Sequence, residues 1–166
     1  MNNNLLILGA GGHGRVVKET AEAMRCFNKI DFLDDKSEVV VGKCKDYKHF
    51  ASSYTHVFVA FGDNEQRMSW MEKLICEGYR FPLLIHPTAY LSPSANIENG
   101  SIVCVNAVVN TNVKIKKGCI ISIGALIDHD SSVGEYSHIN SGAIVKAGCN
   151  VSKLTKVDAG LVHPNK

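Results

Sequence analysis

A six-residue register running from Leu91 to Val157 constrains this chain more than any other feature. Leu91, Ile97, Val103, Val109, Ile115, Ile121, Ile127, Val133, Ile139, Val145, Val151 and Val157 all fall on it, and all are Leu, Ile or Val. Four residues after each of the first eleven come Ala95, Ser101, Ala107, Val113, Cys119, Ala125, Ser131, Ser137, Ala143, Cys149 and Thr155, small throughout except Val113. Three residues after each aliphatic come Gly100, Asn106, Asn112, Gly118, Gly124, Asp130, Gly142, Gly148 and Gly160, with Ser94, Tyr136 and Leu154 as departures. Gly, Asn and Asp are the residues that tolerate positive φ. Most units therefore offer one buried aliphatic, one tight turn and one small slot. Self-similarity at this fixed period is the signature of a β-solenoid. Ordinary strands would not hold twelve aliphatics in one register by chance.

The residues before the repeat read differently. Leu5–Leu8 is a continuous apolar run, as in a buried parallel strand. The glycine-rich Gly9–Gly14 follows at once, and Arg15 to Met24 has helical character, with Val16, Val17, Thr20, Ala21 and Met24 roughly on one face. Ile30–Leu33 reads as a second strand ending in Asp34-Asp35, and Val39–Gly42 as a short strand or edge. His56–Phe61 reads as a third strand. Asp63 is placed to cap a helix reaching Cys76, with Met68, Met71, Leu74 and Ile75 inward and Gly78 as its stop. Phe81–Ile85 reads as a fourth strand. Alternating strands and helices predict a small α/β domain with a parallel sheet. Pro87 and Pro93 disfavour helix and central strand, so the boundary is set after Ile85: residues 1–85, then 86–166 as about four coils. The α/β part is expected to cover the N-terminal end of the solenoid, with only Leu161–Lys166 at the other.

Composition narrows the function classes. The chain has 166 residues, 45% hydrophobic and 20% charged, with a formal net charge of +2. That balance, with scattered lysines, argues against a dedicated nucleic-acid binder. No apolar run reaches membrane-spanning length, and Met1–Asn4 lacks a basic signal region, so the expectation is a cytoplasmic protein. The six cysteines include no C-x-x-C pair, and no zinc-like Cys/His cluster appears. Cys119 and Cys149 sit on the small-residue register, where a buried thiol packs.

Two stretches carry chemistry. Gly9-x-Gly11-x-x-Gly14 follows a strand and opens a helix, with Asp34 twenty residues past Gly14. Glycines there let the backbone approach a phosphate at a helix N-terminus, and Asp34 or Asp35 would accept bonds from a ribose or base. A bare strand-to-helix turn with no ligand is the alternative. A full NAD site needs a second mononucleotide half, and the sheet ends too early for an oxidoreductase of that kind. The second stretch is Ile127-Asp128-His129-Asp130-Ser131. His129 lies off the aliphatic register, so its side chain should point out of the prism. An imidazole can act as a base near neutral pH, and an adjacent carboxylate can orient it. A surface histidine beside a turn residue is the bland alternative, and His138 alone is weaker still.

Taken together, an ordered series of motifs resembles a known family. Leu6–Val17, Phe32-Leu33-Asp34-Asp35, Ala60-Phe61-Gly62-Asp63-Asn64 and Ile85-His86-Pro87-Thr88-Ala89 lead into Ile127-Asp128-His129-Asp130 and Gly134–Ile139. Together they resemble the PglD/NeuD-like sugar O-/N-acetyltransferases, hexapeptide-repeat acyltransferases, over nearly the whole chain. The resemblance implies a Rossmann-like nucleotide-sugar-binding domain followed by an all-β left-handed parallel β-helix, three hexapeptides to a coil. It implies nucleotide binding by Gly11, Gly12 and His13 with Asp34, Asp35 and Gly62. His129 would be the general base, Asp130 its carboxylate partner, and His138 a contact for acetyl-CoA. It further implies a homotrimer with acetyl-CoA between neighbouring solenoids, no metal and no membrane insertion. The expected reaction is acetyl transfer from acetyl-CoA to the amine of a nucleotide-linked sugar of the UDP-4-amino type. A sialic-acid-type O-acetyltransferase is the alternative acceptor reading, and a non-catalytic trimeric nucleotide-binding protein the alternative class. Two departures bear on these. Where the family often has Asn-Thr before the catalytic histidine, this chain has Ser122-Ile123. Relatives usually run two or more further coils, whereas this sequence stops at Val162–Lys166.

Overall fold

The computed structural model describes residues 3–164. Met1–Asn2, part of the stretch read for a signal region, and Asn165–Lys166 of the closing segment lie outside the described residues. The chain divides into two compact units, Met1–Pro82 and Leu83–Lys166.

The first unit is built on β1 (Asn4–Leu8), which pairs in parallel with β2 (Lys29–Leu33) on one side and β3 (His56–Val59) on the other. Leu5 to Leu8 are fully buried, as their continuous apolar run requires of a central parallel strand. Helix α1 (Gly12–Ala23) starts inside the glycine run, ahead of the expected Arg15. Its buried residues are Gly14, Val17, Thr20 and Ala21, while Val16 is exposed. Helix α2 (Asn64–Cys76) follows Asp63, whose carboxylate accepts from the Gln66 amide at 2.7 Å. It stops at Gly78, whose φ is +80°. Ile75, expected inward, is 47% exposed, and Arg67 is fully buried on that helix instead. The expected Val39–Gly42 strand shrinks to one parallel bridge between Leu33 and Gly42, and Val39 is exposed.

The fourth strand expected for this sheet does not join it. The sequence favours Phe81–Ile85 for it; the strand present is β4 (Leu84–Ile85), and it pairs with β7 (Ile102–Val103) of the second unit. Pro82 has no amide hydrogen to give a ladder. Ile85 lies six residues before Leu91, so it already obeys the solenoid register.

The second unit is a parallel β-solenoid of two-residue strands. One five-stranded sheet stacks β4, β7 (Ile102–Val103), β10 (Ile120–Ile121), β13 (His138–Ile139) and β16 (Lys156–Val157). A second stacks β5 (Tyr90–Leu91), β8 (Val108–Val109), β11 (Leu126–Ile127), β14 (Ile144–Val145) and β17 (Val162–His163). The third, four-stranded, stacks β6 (Asn96–Ile97), β9 (Lys114–Ile115), β12 (Ser132–Val133) and β15 (Asn150–Val151). The aliphatic register fills the core, with Val103, Val109, Ile121, Val133, Ile139 and Val145 all at 0% exposure. The turn register adopts positive φ at Asn106, Asn112 and Asp130, and also at the departures Tyr136 (56°) and Leu154 (60°). Those two turns bear the roughly 1–2 kcal/mol that a left-handed backbone costs a side chain with a Cβ.

Three substitutions separate packing from open space. Val133→Ala empties a core position and is expected to destabilise the solenoid by about 1–3 kcal/mol. Gly14→Ala puts a Cβ 2.0 Å from the Gly9 carbonyl oxygen and should unfold the first unit. Gly12→Ala meets nothing within 4 Å and should melt like wild type. Calorimetric melting of the three variants checks this ordering.

Candidate active site

In the first unit the expected nucleotide residues gather at the C-terminal ends of the three strands. Gly9 adopts a φ of +101° and its amide donates to Leu33 O (2.8 Å), which turns the chain off β1. Gly14 lies against Gly9, so its lack of a side chain lets α1 close on the strand. Gly11, Gly12 and Gly62 are different: a Cβ at each would meet nothing within 4 Å. Their bare backbone faces space that a ligand can enter. His13, half-buried, sits in the first turn of α1.

Asp34 braces this loop. Its Oδ2 accepts from the Ala10 amide (2.8 Å), and its Oδ1 from the amides of Lys36 (2.7 Å) and Ser37 (2.9 Å). The Ala10 and Lys36 bonds hold its carboxyl below the usual range. Asp35 Oδ1 accepts from the Cys44 amide (3.0 Å). Both carboxylates thus organise the loops around the glycines. Beside them opens a cavity of about 350 Å³, lined by Ala10, Arg15, Lys18, Phe32 and Ser37 among others.

Sequence reasoning missed Arg67. Its guanidinium donates to Phe61 O (2.9 Å), Gly62 O (3.5 Å), Asp63 O (3.4 Å) and Asn64 Oδ1 (2.8 Å). It holds the turn that carries Gly62 from inside. Its only sequence signal is a charge at the i+4 position from the N-cap.

In the second unit the chain leaves β11 and turns through Asp128, His129 and Asp130. Asp130, at φ +58°, brings its carboxylate back onto its neighbour: His129 Nδ1 donates to Asp130 Oδ2 at 2.8 Å. Two residues from the coil beneath complete the turn. Asn110 Nδ2 donates to Asp128 Oδ1 and Asn112 Nδ2 to Asp130 Oδ1, each at 3.0 Å. Asp128 Oδ1 also accepts the His129 amide (2.8 Å). The sequence marks Asn112 only as a turn residue of the repeat, and Asn110 falls on none of the three registers.

The His129 side chain is 54% exposed. Its bond to Asp130, then the Asp128 charge, raise its pKa above the ordinary 6.5. Asp130 is lowered, first by His129 and then by Asn112. An imidazole fixed through Nδ1 presents Nε2 outward, the arrangement of an oriented base. An open cleft of about 710 Å³ borders the pair, lined by Asn112, Lys114, Asp130 and Ser132 among others. His138, on β13, shares a 2.9 Å hydrogen bond through Nε2 with Ser122 Oγ rather than joining the His129–Asp130 pair. The six cysteines are unbridged, and the described residues hold no cluster of three or more His, Cys, Asp or Glu that could bind a metal.

These features can be set beside known proteins. Residues 4–74 match the family of the PglD N-terminal domain. UDP-N-acetylbacillosamine N-acetyltransferase of Bacillus subtilis (strain 168) is 31% identical over 109 residues, 60% of this chain and 50% of that protein. The match thus spans half the length of that curated relative. The acetyltransferase domain of PglB from Neisseria gonorrhoeae FA1090 superposes with a TM-score of 0.85 at 32% identity, covering 98% of this chain and 92% of that one. The same domain has been solved with acetyl coenzyme A. PerB from Caulobacter crescentus, solved with CoA and GDP-perosamine, superposes with a TM-score of 0.85 at 29% identity, over 97% of this chain and 88% of that one.

The raised pKa is directly measurable. His129 should titrate above 6.5 by NMR, because Asp130 and Asp128 favour the imidazolium. Asp130→Asn should bring the midpoint down. An unchanged midpoint would mean that the carboxylate does not act on the ring.

Proposed function

The chain belongs to the PglD-like family of sugar acetyltransferases, and we propose that it transfers the acetyl group of acetyl-CoA to the amine of a nucleotide-linked amino sugar. The observation that carries this reading is the His129–Asp130 pair, held at 2.8 Å and exposed on the solenoid. His129 Nε2 takes a proton from the sugar amine as the nitrogen attacks the thioester carbonyl. The C–N bond forms, the C–S bond breaks, and the proton is available to the departing CoA thiolate. Asp130 keeps Nδ1 protonated, so Nε2 is the basic nitrogen, and it stabilises the imidazolium while the ring holds the proton. No metal enters the scheme.

The nucleotide is assigned to the first unit, read as a Rossmann-like domain. The open backbone at Gly11, Gly12 and Gly62 would receive its phosphates, with His13 beside them. Asp34 and Asp35 would set the loop that faces the ribose and base. Relatives solved or named with UDP- and GDP-linked sugars support a nucleotide-sugar acceptor. Acetyl-CoA is assigned to the second unit, read as a left-handed β-helix, with His138 and its partner Ser122 on the cofactor's path.

The same reading makes the protein a homotrimer. Tyr90, Val108, Leu126, Ile144 and Val162 lie opposite one another on the outward side of one sheet. Tyr90, Leu126 and Val162 are 56%, 41% and 48% exposed. An apolar ladder of that length gains by meeting further copies. The turn carrying His129 leaves this sheet, so a neighbouring copy would wall the site. No helix among the described residues is long and apolar enough to cross a membrane. We assign the enzyme to the cytoplasm, with both substrates.

Steady-state kinetics test the reading. His129→Ala should lower kcat by roughly 10²–10⁴-fold, the range for loss of a general base, without changing the melting temperature. Wild-type turnover in that variant would remove the histidine from the mechanism. Gly12→Ala should raise the KM for the nucleotide sugar and leave the KM for acetyl-CoA in place, because its Cβ enters only the space assigned to the nucleotide.

A further inference from the structure

Asn112 lies directly beneath Asp130, the partner of the proposed base. Successive coils stack residues eighteen apart, and one turn column contains Ser94, Asn112, Asp130 and Gly148. Polar contacts run up it. The Asn112 amide donates to Ser94 Oγ (3.0 Å), Asn112 Nδ2 donates to Asp130 Oδ1 (3.0 Å), and Asp130 Oδ2 accepts from His129 Nδ1 (2.8 Å). At the next level a Cβ on Gly148 would meet nothing within 4 Å.

We propose that Asn112 is a positioning residue: it fixes the rotation of the Asp130 carboxylate so that one oxygen is committed to the coil below and the other to His129. The inference rests on His129 being the base. Several features set Asn112 apart from a turn residue that merely tolerates positive φ. Both Asn112 and Asp130 adopt left-handed backbone, at φ 57° and 58°, so the two turns superpose and their side chains project in parallel. A glycine would satisfy that backbone, as it does at Gly124, Gly142 and Gly160 of a neighbouring column. Asn112 adds a donor, and an amide N–H is what an ionised carboxylate accepts. The Asp130 side chain is 58% exposed, so without this bond it is free to turn towards water. Asn110 acts similarly one step away, on Asp128, which in turn accepts the His129 amide. The charged groups acting on His129 are therefore Asp130 and Asp128, each held by an asparagine of the coil below.

The test uses two substitutions in the full-length protein. Asn112→Gly keeps the backbone conformation and removes only the side-chain bond. It should lower kcat by roughly ten- to a hundredfold, as misplacement of a reacting group does, with both KM values and the melting temperature unchanged. The acid limb of its kcat profile should move to lower pH, because a loosened Asp130 supports the imidazolium less. Asn112→Asp places a second carboxylate there. It should also lower kcat but move the acid limb to higher pH, since added negative charge favours the imidazolium. A merely structural role would not move the limb in opposite directions. If Asn112→Gly keeps wild-type kcat and pH profile while His129→Ala is inactive, the positioning role is overturned and the base assignment stands. If His129→Ala is itself fully active, the base assignment falls first and this inference with it.

Discussion

Parallel backbone pairing between coils is the interaction on which the rest of the solenoid depends. Amides at alternate positions in and beside the strands donate to carbonyls one coil on: Val108 to Ala125, Asn110 to Ile127, Leu126 to Ala143, Asp128 to Val145, all at 2.9–3.0 Å. The ladder satisfies the backbone of two-residue strands that could not persist alone. It also superposes residues eighteen apart, so that what one coil places at a corner the next coil meets. The aliphatic core is one product of that stacking. The column from Ser94 through Asn112 to Asp130 is another, and it turns a structural repeat into support for a titratable pair. A helix or loop could hold a histidine beside a carboxylate, but here the fold also supplies the asparagines that hold the carboxylates.

The first unit solves a different problem. Its loops leave glycine backbone bare. Its glycines divide by what surrounds them: Gly14 has no room for a Cβ because α1 lies against the Gly9 carbonyl, whereas Gly11, Gly12 and Gly62 open onto empty space. Asp34 ties the loop after β1 to the loop after β2, and Arg67 ties the turn after β3 to its own helix. Burying Arg67 is tolerable because carbonyl oxygens and the Asn64 side chain surround its guanidinium, so its charge stays hydrogen-bonded.

The sequence made the solenoid legible because each unit repeats the same local demands: one aliphatic, one small residue, one positive φ. Leu84–Ile85 defeated local reading because a short apolar pair fits either a parallel sheet or a solenoid strand. Only its place six residues before Leu91 tells the two apart. Arg67 was hidden since a charged helical residue ordinarily reads as solvated. Asn112 is legible as a turn residue of the repeat but not as a support for Asp130, and Asn110 gives no local sign of its role on Asp128, because those partners lie eighteen positions away. The spacing of three units was available in the register, so stacking the sequence by coils rather than reading it along the chain brings the column into view. His129 and Asp130 stood out because they are adjacent, which makes their bond local.

Product analysis separates acetyl transfer to a sugar amine from the other outcomes. Wild-type protein is incubated with acetyl-CoA and a UDP- or GDP-linked amino sugar, and thiol release is followed while NMR locates the acetyl group. The account expects one thiol released for each acetyl group appearing on the sugar nitrogen, with release dependent on the amino sugar. Thiol release indifferent to the acceptor, or acetyl found only on a hydroxyl oxygen, would contradict it.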